Sequence, residues 1–281
     1  MTSITPKVKG IELLLPRGFS EQLLFEFSPF KNWLSTLFSS LVKQANPSHP
    51  FNKDPYRLRS VEIQSFDLFG KPPNQRIGFL KFIAGISNGA GETLPGSVFI
   101  RGPSVAMLVI LVPDDVSKED NDKDGLWGER YALLTVQPRI AAGSLAFVEL
   151  PAGMVEEGGS FSGTAAREIR EELGLEIPAD QLRCLSDMAG APGVNGEDLP
   201  LGMYPSAGGC DEHIPIYMHE RRVPRETLGE WAGKLTGLRS EGEKITLKLV
   251  KMRDLWREGA RDAKCLAALA LWQEFRRQGK V

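Results

Sequence analysis

Eight consecutive apolar residues, Val105-Ala-Met-Leu-Val-Ile-Leu-Val112, lie between Ser104 and Pro113. A strand built from such a run has no polar side, so both of its faces must be covered by other elements. The run is also far too short to cross a bilayer, which needs roughly 20 apolar residues. No stretch of 18 or more apolar residues occurs anywhere in the sequence. Around it, strand-like runs are read at 58–68, 76–83, 97–101, 131–137, 145–150, 214–218 and 245–249. Helices are predicted over about 163–174 and 262–276, and the polar stretch 113–125 reads as a solvated loop. Strands mixed with helices imply an α/β fold. The expected division is a smaller helix-and-strand region over 1–94 followed by a main domain over 95–281. In the first region, Phe30, Trp33, Leu34, Leu37, Phe38 and Leu41 recur at helical spacing, which predicts a helix over 29–43. Ser28 is its expected N-cap and Pro29 suits its first turn.

The 281 residues suffice to bury a core without disulfide or metal staples. Lys and Arg number 34 against 36 acids, a net charge of −2, and no basic block stands out. Nucleic acid and anionic membranes are therefore not expected as main partners. Three cysteines at unrelated spacings, Cys184, Cys210 and Cys265, fit free thiols in a reducing compartment. The N-terminus lacks the apolar core of a secretory signal, so the expected location is the cytoplasm.

Chemistry concentrates in Gly153 to Leu175, which ends Ala-Arg167-Glu168-Ile169-Arg170-Glu171-Glu172-Leu173-Gly174-Leu175. On a helix advancing about 100° per residue, Glu168, Glu171 and Glu172 share an arc of about 100°. Ala165, Ile169 and Leu173 form the neighbouring apolar stripe, so Glu172 borders the buried face. Clustered carboxylates repel one another, and partial burial adds to the penalty. A hard divalent cation resolves both, and an all-oxygen set without His or Cys favours Mg²⁺ or Mn²⁺ over zinc. The alternative is an acidic surface helix with Arg167 paired to Glu171.

The segment resembles the Nudix box, G-x5-E-x7-R-E-U-x-E-E-x-G-U with U aliphatic. Gly153, Arg167, Glu168, Ile169, Glu171, Glu172, Gly174 and Leu175 match at the required spacings, and Gly159 replaces the first Glu. Glu156 and Glu157 lie just before that position. The resemblance implies a Nudix fold, an α/β/α sandwich around a mixed sheet. It also implies metal ligation by Glu168, Glu171, Glu172 and the Ala152 carbonyl oxygen. Pro151-Ala-Gly-Met154, Ser206-Ala-Gly-Gly-Cys-Asp-Glu212 and Asp262-Ala-Lys264 look like the ADP-sugar diphosphatase group, relatives of ADP-ribose pyrophosphatase. So do Asp67-Leu-Phe-Gly70, Gly78-Phe-Leu-Lys-Phe82 and Arg101-Gly-Pro103 upstream.

In that group a loop Glu after the box acts as general base or late metal ligand, which points to Glu212, with Asp211 as its competitor. Glu171 stands beside it as a further catalytic candidate. Gln137-Pro-Arg139 ends a strand before the box, and the guanidinium fork of Arg139 suits phosphate oxygens. Arg101 is a weaker candidate for substrate contact, with strand-end capping as its alternative. The group's N-terminal strands contribute to a homodimer. The expected activity is Mg²⁺-dependent hydrolysis of ADP-glucose or ADP-ribose to AMP and a sugar phosphate. A UDP-sugar or other nucleotide substrate, or a non-hydrolysing nucleotide-sugar sensor, are the alternatives.

Overall fold

The computed structural model describes residues 7–8, 10–71, 75–123, 125–155, 159–190, 197–237 and 243–281. The chain divides into two compact units. The first comprises Met1–Pro103, Pro192–Pro200 and Ser206–His213, and the second Ser104–Ala191, Leu201–Pro205 and Ile214–Val281.

The first unit contains β1 (Lys7–Val8), β2 (Ile11–Leu14), α1 (Glu21–Glu26), α2 (Ser28–Lys43), β3 (Arg57–Phe69), β4 (Arg76–Ser87), β5 (Thr93–Leu94) and β6 (Ser97–Ile100). Its sheet runs β1-β2-β3-β4-β5, with β6 also pairing β4. The core gathers Leu24, Phe30, Leu80, Phe82 and Ile100, with Trp33, Leu34, Leu37, Phe38 and Leu41 packed against it. Helix α2 therefore covers its own sheet, as its spacing predicts. Ser28 is inside the helix and not its cap: Phe27 occupies the cap position, and the side-chain cap belongs to Ser20 at the start of α1. Because β6 pairs with β4, residues 97–100 belong to this unit, past the boundary expected at 94.

The second unit continues with β7 (Ser104–Pro113), α3 (Lys118–Lys123), β8 (Tyr131–Arg139), β9 (Ser144–Glu149), β10 (Ala152–Met154), α4 (Phe161–Glu168), β11 (Arg183–Cys184), α5 (Leu185–Ala189), β12 (Ile216–Val223), α6 (Leu228–Trp231), β13 (Leu235–Thr236), β14 (Ile245–Lys251), α7 (Leu255–Glu258) and α8 (Ala263–Arg277). The sheet order is β11-β12-β7-β8-β14-β13, with β10 against β7 and β9 against β8. Strands β7 and β12 are parallel and the other pairings antiparallel, so the sheet is mixed.

Strand β7 is buried along its whole length. Leu108, Ile110 and Val112 point into a core shared with Leu269, Trp272 and Phe275 of α8. Val105, Met107, Val109 and Leu111 point the other way, against Ala165 of α4 and Ile169 and Leu173 beyond it. Helices cover both faces, as the apolar run requires, and the result is the α/β/α sandwich that the Nudix resemblance implies. One correction concerns the solvated loop expected at 113–125, which contains the short helix α3.

Candidate active site

The loop before α4 and the helix itself deliver the acidic side chains. Ser160 caps α4 by accepting from the Gly163 N–H at 3.1 Å. From Ile169 to Leu173 the helix widens into a π-type turn and then stops at Gly174, which adopts φ 68°. That left-handed conformation is the reason glycine ends the helix here. A widened turn is a departure from the regular spacing of about 100° per residue assumed for the sequence. The Thr236 hydroxyl on β13 donates to the Glu172 carbonyl oxygen at 2.5 Å and anchors the turn.

Glu172 and Glu168 lie along β10. The Ala152 N–H donates to Glu172 Oε2 at 3.2 Å. Gly153 has no side chain where the next carboxylate sits: a Cβ there would fall 2.0 Å from Glu168 Cδ. The strand is thus bare of side chains where Glu168 lies against it. Glu172 is 4% exposed. Burial, with the nearby Glu168 and Glu149 carboxylates, pushes its pKa up to about 8, against the opposing pull of Ala152 N–H and Arg139. Burial also raises the pKa of Glu168, although Arg167 Nη2 stands 3.2 Å from Glu168 Oε1 and counteracts it. Two carboxylates with disfavoured charge, side by side, are a site that a cation relieves.

Glu171 behaves differently. It is partly exposed and lies between Arg167, at 4.0 Å, and Arg170, at 3.7 Å. Among the described residues no three His, Cys, Asp or Glu side chains converge into a preassembled metal cluster. The donors brought together on β10 are two carboxylates, Glu168 and Glu172. With backbone oxygen and water they make the sparse all-oxygen set that suits Mg²⁺ better than zinc. Glu156 and Glu157, neighbours of the missing box Glu, lie outside the described residues.

Strand β8 carries the other candidates of this unit. Arg139 Nε donates to Glu149 Oε1 at 2.6 Å. Among the described residues its terminal Nη groups have no partner, and its charge is felt at Glu172. Gln137 is 8% exposed, and among the described residues its buried amide Nε2 has no hydrogen-bond partner. An unmade hydrogen bond of this kind costs about 1–3 kcal/mol. Gln137→Leu is therefore expected to raise the unfolding free energy by about 1 kcal/mol while lowering turnover, measured by urea unfolding and initial rates. A fall in both stability and rate would instead mark Gln137 as a packing residue.

In the first unit the structure brings Arg101 and Glu212 together, with Arg101 Nη1 3.5 Å from Glu212 Oε2. Asp211, the competitor of Glu212, is committed to the backbone: its carboxylate accepts from Arg101 N–H at 2.9 Å and Gly102 N–H at 3.2 Å. Burial raises the pKa of Cys210, the opposite of an activated nucleophile.

Glu149, Lys264 and Asp262 form a polar group beside Arg139 that residue chemistry alone does not single out for a role. The available signal is Glu149 itself, an acid between Val148 and Leu150 at the end of a strand, which requires a partner when buried.

Residues 121–269 match the NUDIX domain. Over 256 residues, 90% of this chain and 72% of the relative, the sequence is 39% identical to "Nudix hydrolase 14, chloroplastic" of Arabidopsis thaliana. The chain belongs to the Nudix hydrolase family. Among solved structures, one described as a crystal structure of an ADP compounds hydrolase covers 80% of this Nudix chain and 99% of its own. Its TM-score is 0.45 at 17% identity. Two box positions have structural reasons in this Nudix protein: Gly153 makes room for Glu168, and Gly174 turns the chain after Glu172.

Proposed function

We propose that this Nudix hydrolase cleaves the phosphoanhydride of nucleoside diphosphate sugars, with ADP-glucose and ADP-ribose as substrates, giving AMP and a sugar phosphate. The observation that carries the reading is a pair of carboxylates, the buried Glu172 and the part-buried Glu168, with the charge of Arg139 felt at Glu172. Mg²⁺, or Mn²⁺ in its place, when bound supplies charge neutralisation of the diphosphate and acidifies water. Glu168 and Glu172 would hold it, with the Ala152 carbonyl oxygen and Glu171 as the further ligands the family resemblance implies.

The remaining work falls to the chain's own groups. The free Nη edge of Arg139 binds phosphate oxygens and offsets charge that builds on the leaving phosphate. The buried Gln137 amide offers a second donor. Glu212 is the proposed general base and Arg101 the proposed substrate contact. Asp211 is already occupied by backbone N–H groups, which supports Glu212 over it. The choice of ADP-sugars is supported by Pro151-Ala-Gly-Met154, Ser206–Glu212 and Asp262-Ala-Lys264, which look like that group.

We further propose a homodimer built through the first unit. Leu68, Phe69 and Phe99 each expose more than a third of their surface, and Phe79 meets the Phe69 ring edge-to-face and the Phe99 ring at a tilt. Exposed aromatics in contact mark association surfaces. No described helix is long and apolar enough to cross a membrane. The free cysteines suit a reducing compartment. The cytoplasm is the expected one, while the Arabidopsis relative is named for the chloroplast.

AMP release should be measured across ADP-linked, UDP-linked and dinucleotide substrates, with Mg²⁺ or with chelator. Turnover of ADP-glucose or ADP-ribose at least about 10-fold above the UDP-sugars, lost with chelator, is the expected result. Preference for UDP-sugars would move the substrate. Absence of turnover on every substrate would leave a nucleotide-sugar sensor, the reading that Gly159 favours.

A further inference from the structure

Arg139 does not stand alone at the end of β8. Glu149, 3% exposed, accepts from Arg139 Nε at 2.6 Å with one oxygen and from Lys264 Nζ at 3.0 Å with the other. Lys264 Nζ also donates to Asp262 Oδ1 at 2.8 Å. Asp262, 4% exposed, is fixed by the Leu150 N–H at 2.8 Å and, as the cap of α8, by the Lys264 N–H at 3.1 Å. The four side chains alternate in sign, from Asp262 through Lys264 and Glu149 to Arg139. Only the last reaches solvent substantially, at 43% exposure against 13% for Lys264.

Burying three charged groups for stability alone is a poor bargain, because apolar side chains of similar volume usually do as well or better. What the row does achieve is orientation. An arginine on a strand end would normally sample many rotamers and lose that freedom on binding an anion. Here Nε is held by Glu149, and Glu149 is held in turn by Lys264, so the guanidinium is tethered through Nε on a side chain that is 43% exposed. We propose that Lys264 and Asp262, at the start of α8, are positioning residues that act through Glu149 to hold Arg139 ready for a diphosphate. The inference rests on the diphosphate reading given above.

The test uses full-length protein and calorimetric titration with α,β-methylene-ADP in Mg²⁺, a diphosphate that cannot be hydrolysed at that linkage. Arg139→Ala is expected to weaken binding about 10- to 100-fold, the range for a hydrogen bond to a charged group. Lys264→Met is expected to weaken it about 10-fold in the wild-type background. In the Arg139→Ala background the same change should alter affinity less than about twofold. With substrate, KM should rise more than kcat falls. A merely structural role for Lys264 predicts the same loss in both backgrounds, and that result overturns the proposal. If Lys264→Met does not fold, Glu149→Gln takes its place in the same cycle: loss confined to the wild-type background supports the proposal, and equal loss in both overturns it. Wild-type protein that ignores the analogue would instead overturn the diphosphate reading, and this inference with it.

Discussion

Glu172→Gln is expected to reduce turnover about 10³-fold and, in the absence of divalent metal, to make the protein more stable at pH 8 than the wild type. The kinetic loss follows from removing a charge that anchors several kcal/mol of transition-state stabilisation. The stability gain follows from linkage. In the folded protein Glu172 titrates near pH 8, against 4.5 for an ordinary Glu. Below pH 4.5 both states carry the proton and nothing is lost. Between pH 4.5 and 8 the unfolded chain ionises while the folded one resists, so stability falls as pH rises through this window. The full penalty is on the order of a few kcal/mol. Gln carries no such penalty and keeps an oxygen for the Ala152 N–H. Thermal unfolding in chelator at about pH 5 and about pH 8.5 should therefore show the variant and wild type close together at the lower pH and separated at the higher one. Adding Mg²⁺ should stabilise only the wild type. Near-normal turnover in the variant, or equal melting of the two proteins at the higher pH, would sink the role assigned to this side chain.

Gly153→Ala adds a single methyl group, and a comparably large effect is expected. Its Cβ would fall 2.0 Å from Glu168 Cδ, and Glu168 Cγ is within 2.4 Å, so the side chain cannot simply swing its tip aside. Overpacking of this kind costs about 1–3 kcal/mol. Displacing a reacting or ligating group by about 1 Å can cost roughly 100-fold in rate. The measurement is kcat against Mg²⁺ concentration. Activity is expected to fall about 100-fold with a higher Mg²⁺ requirement, whereas a stability loss with unchanged rate would show that Glu168 has room to adjust.

Much of this site is legible in residue order because its logic is local. Gly153, Glu168, Glu172 and Gly174 fall within one strand–helix segment, and the apolar stripe of Ala165, Ile169 and Leu173 marks which side is buried. The uniform run at 105–112 likewise implies a strand with a core on each side, because no polar residue interrupts it. What escapes is either short or distant. Strand β10 has three residues, too few for any periodicity. The π-type turn leaves no signature in residue type, so regular spacing misses the widening from Ile169 to Leu173. The Asp262–Leu150 bond spans 112 positions, and no local pattern announces a partner so far away. Arg139 is recognisable by its own chemistry, while the residues that aim it are not, since aiming is a property of the folded neighbourhood.

The way the first unit is threaded has a practical consequence. The loop that carries Glu212 is tied by backbone bonds to β6: the Phe99 N–H donates to the Gly209 carbonyl, and the Asp211 N–H to that of Phe99. A shortened gene starting at Ser104 would retain the whole motif yet strip this loop of the neighbours that set its shape. Domain-swapping or truncation schemes that treat the leading hundred residues as a removable leader would thus discard the scaffold of a residue encoded more than a hundred codons later.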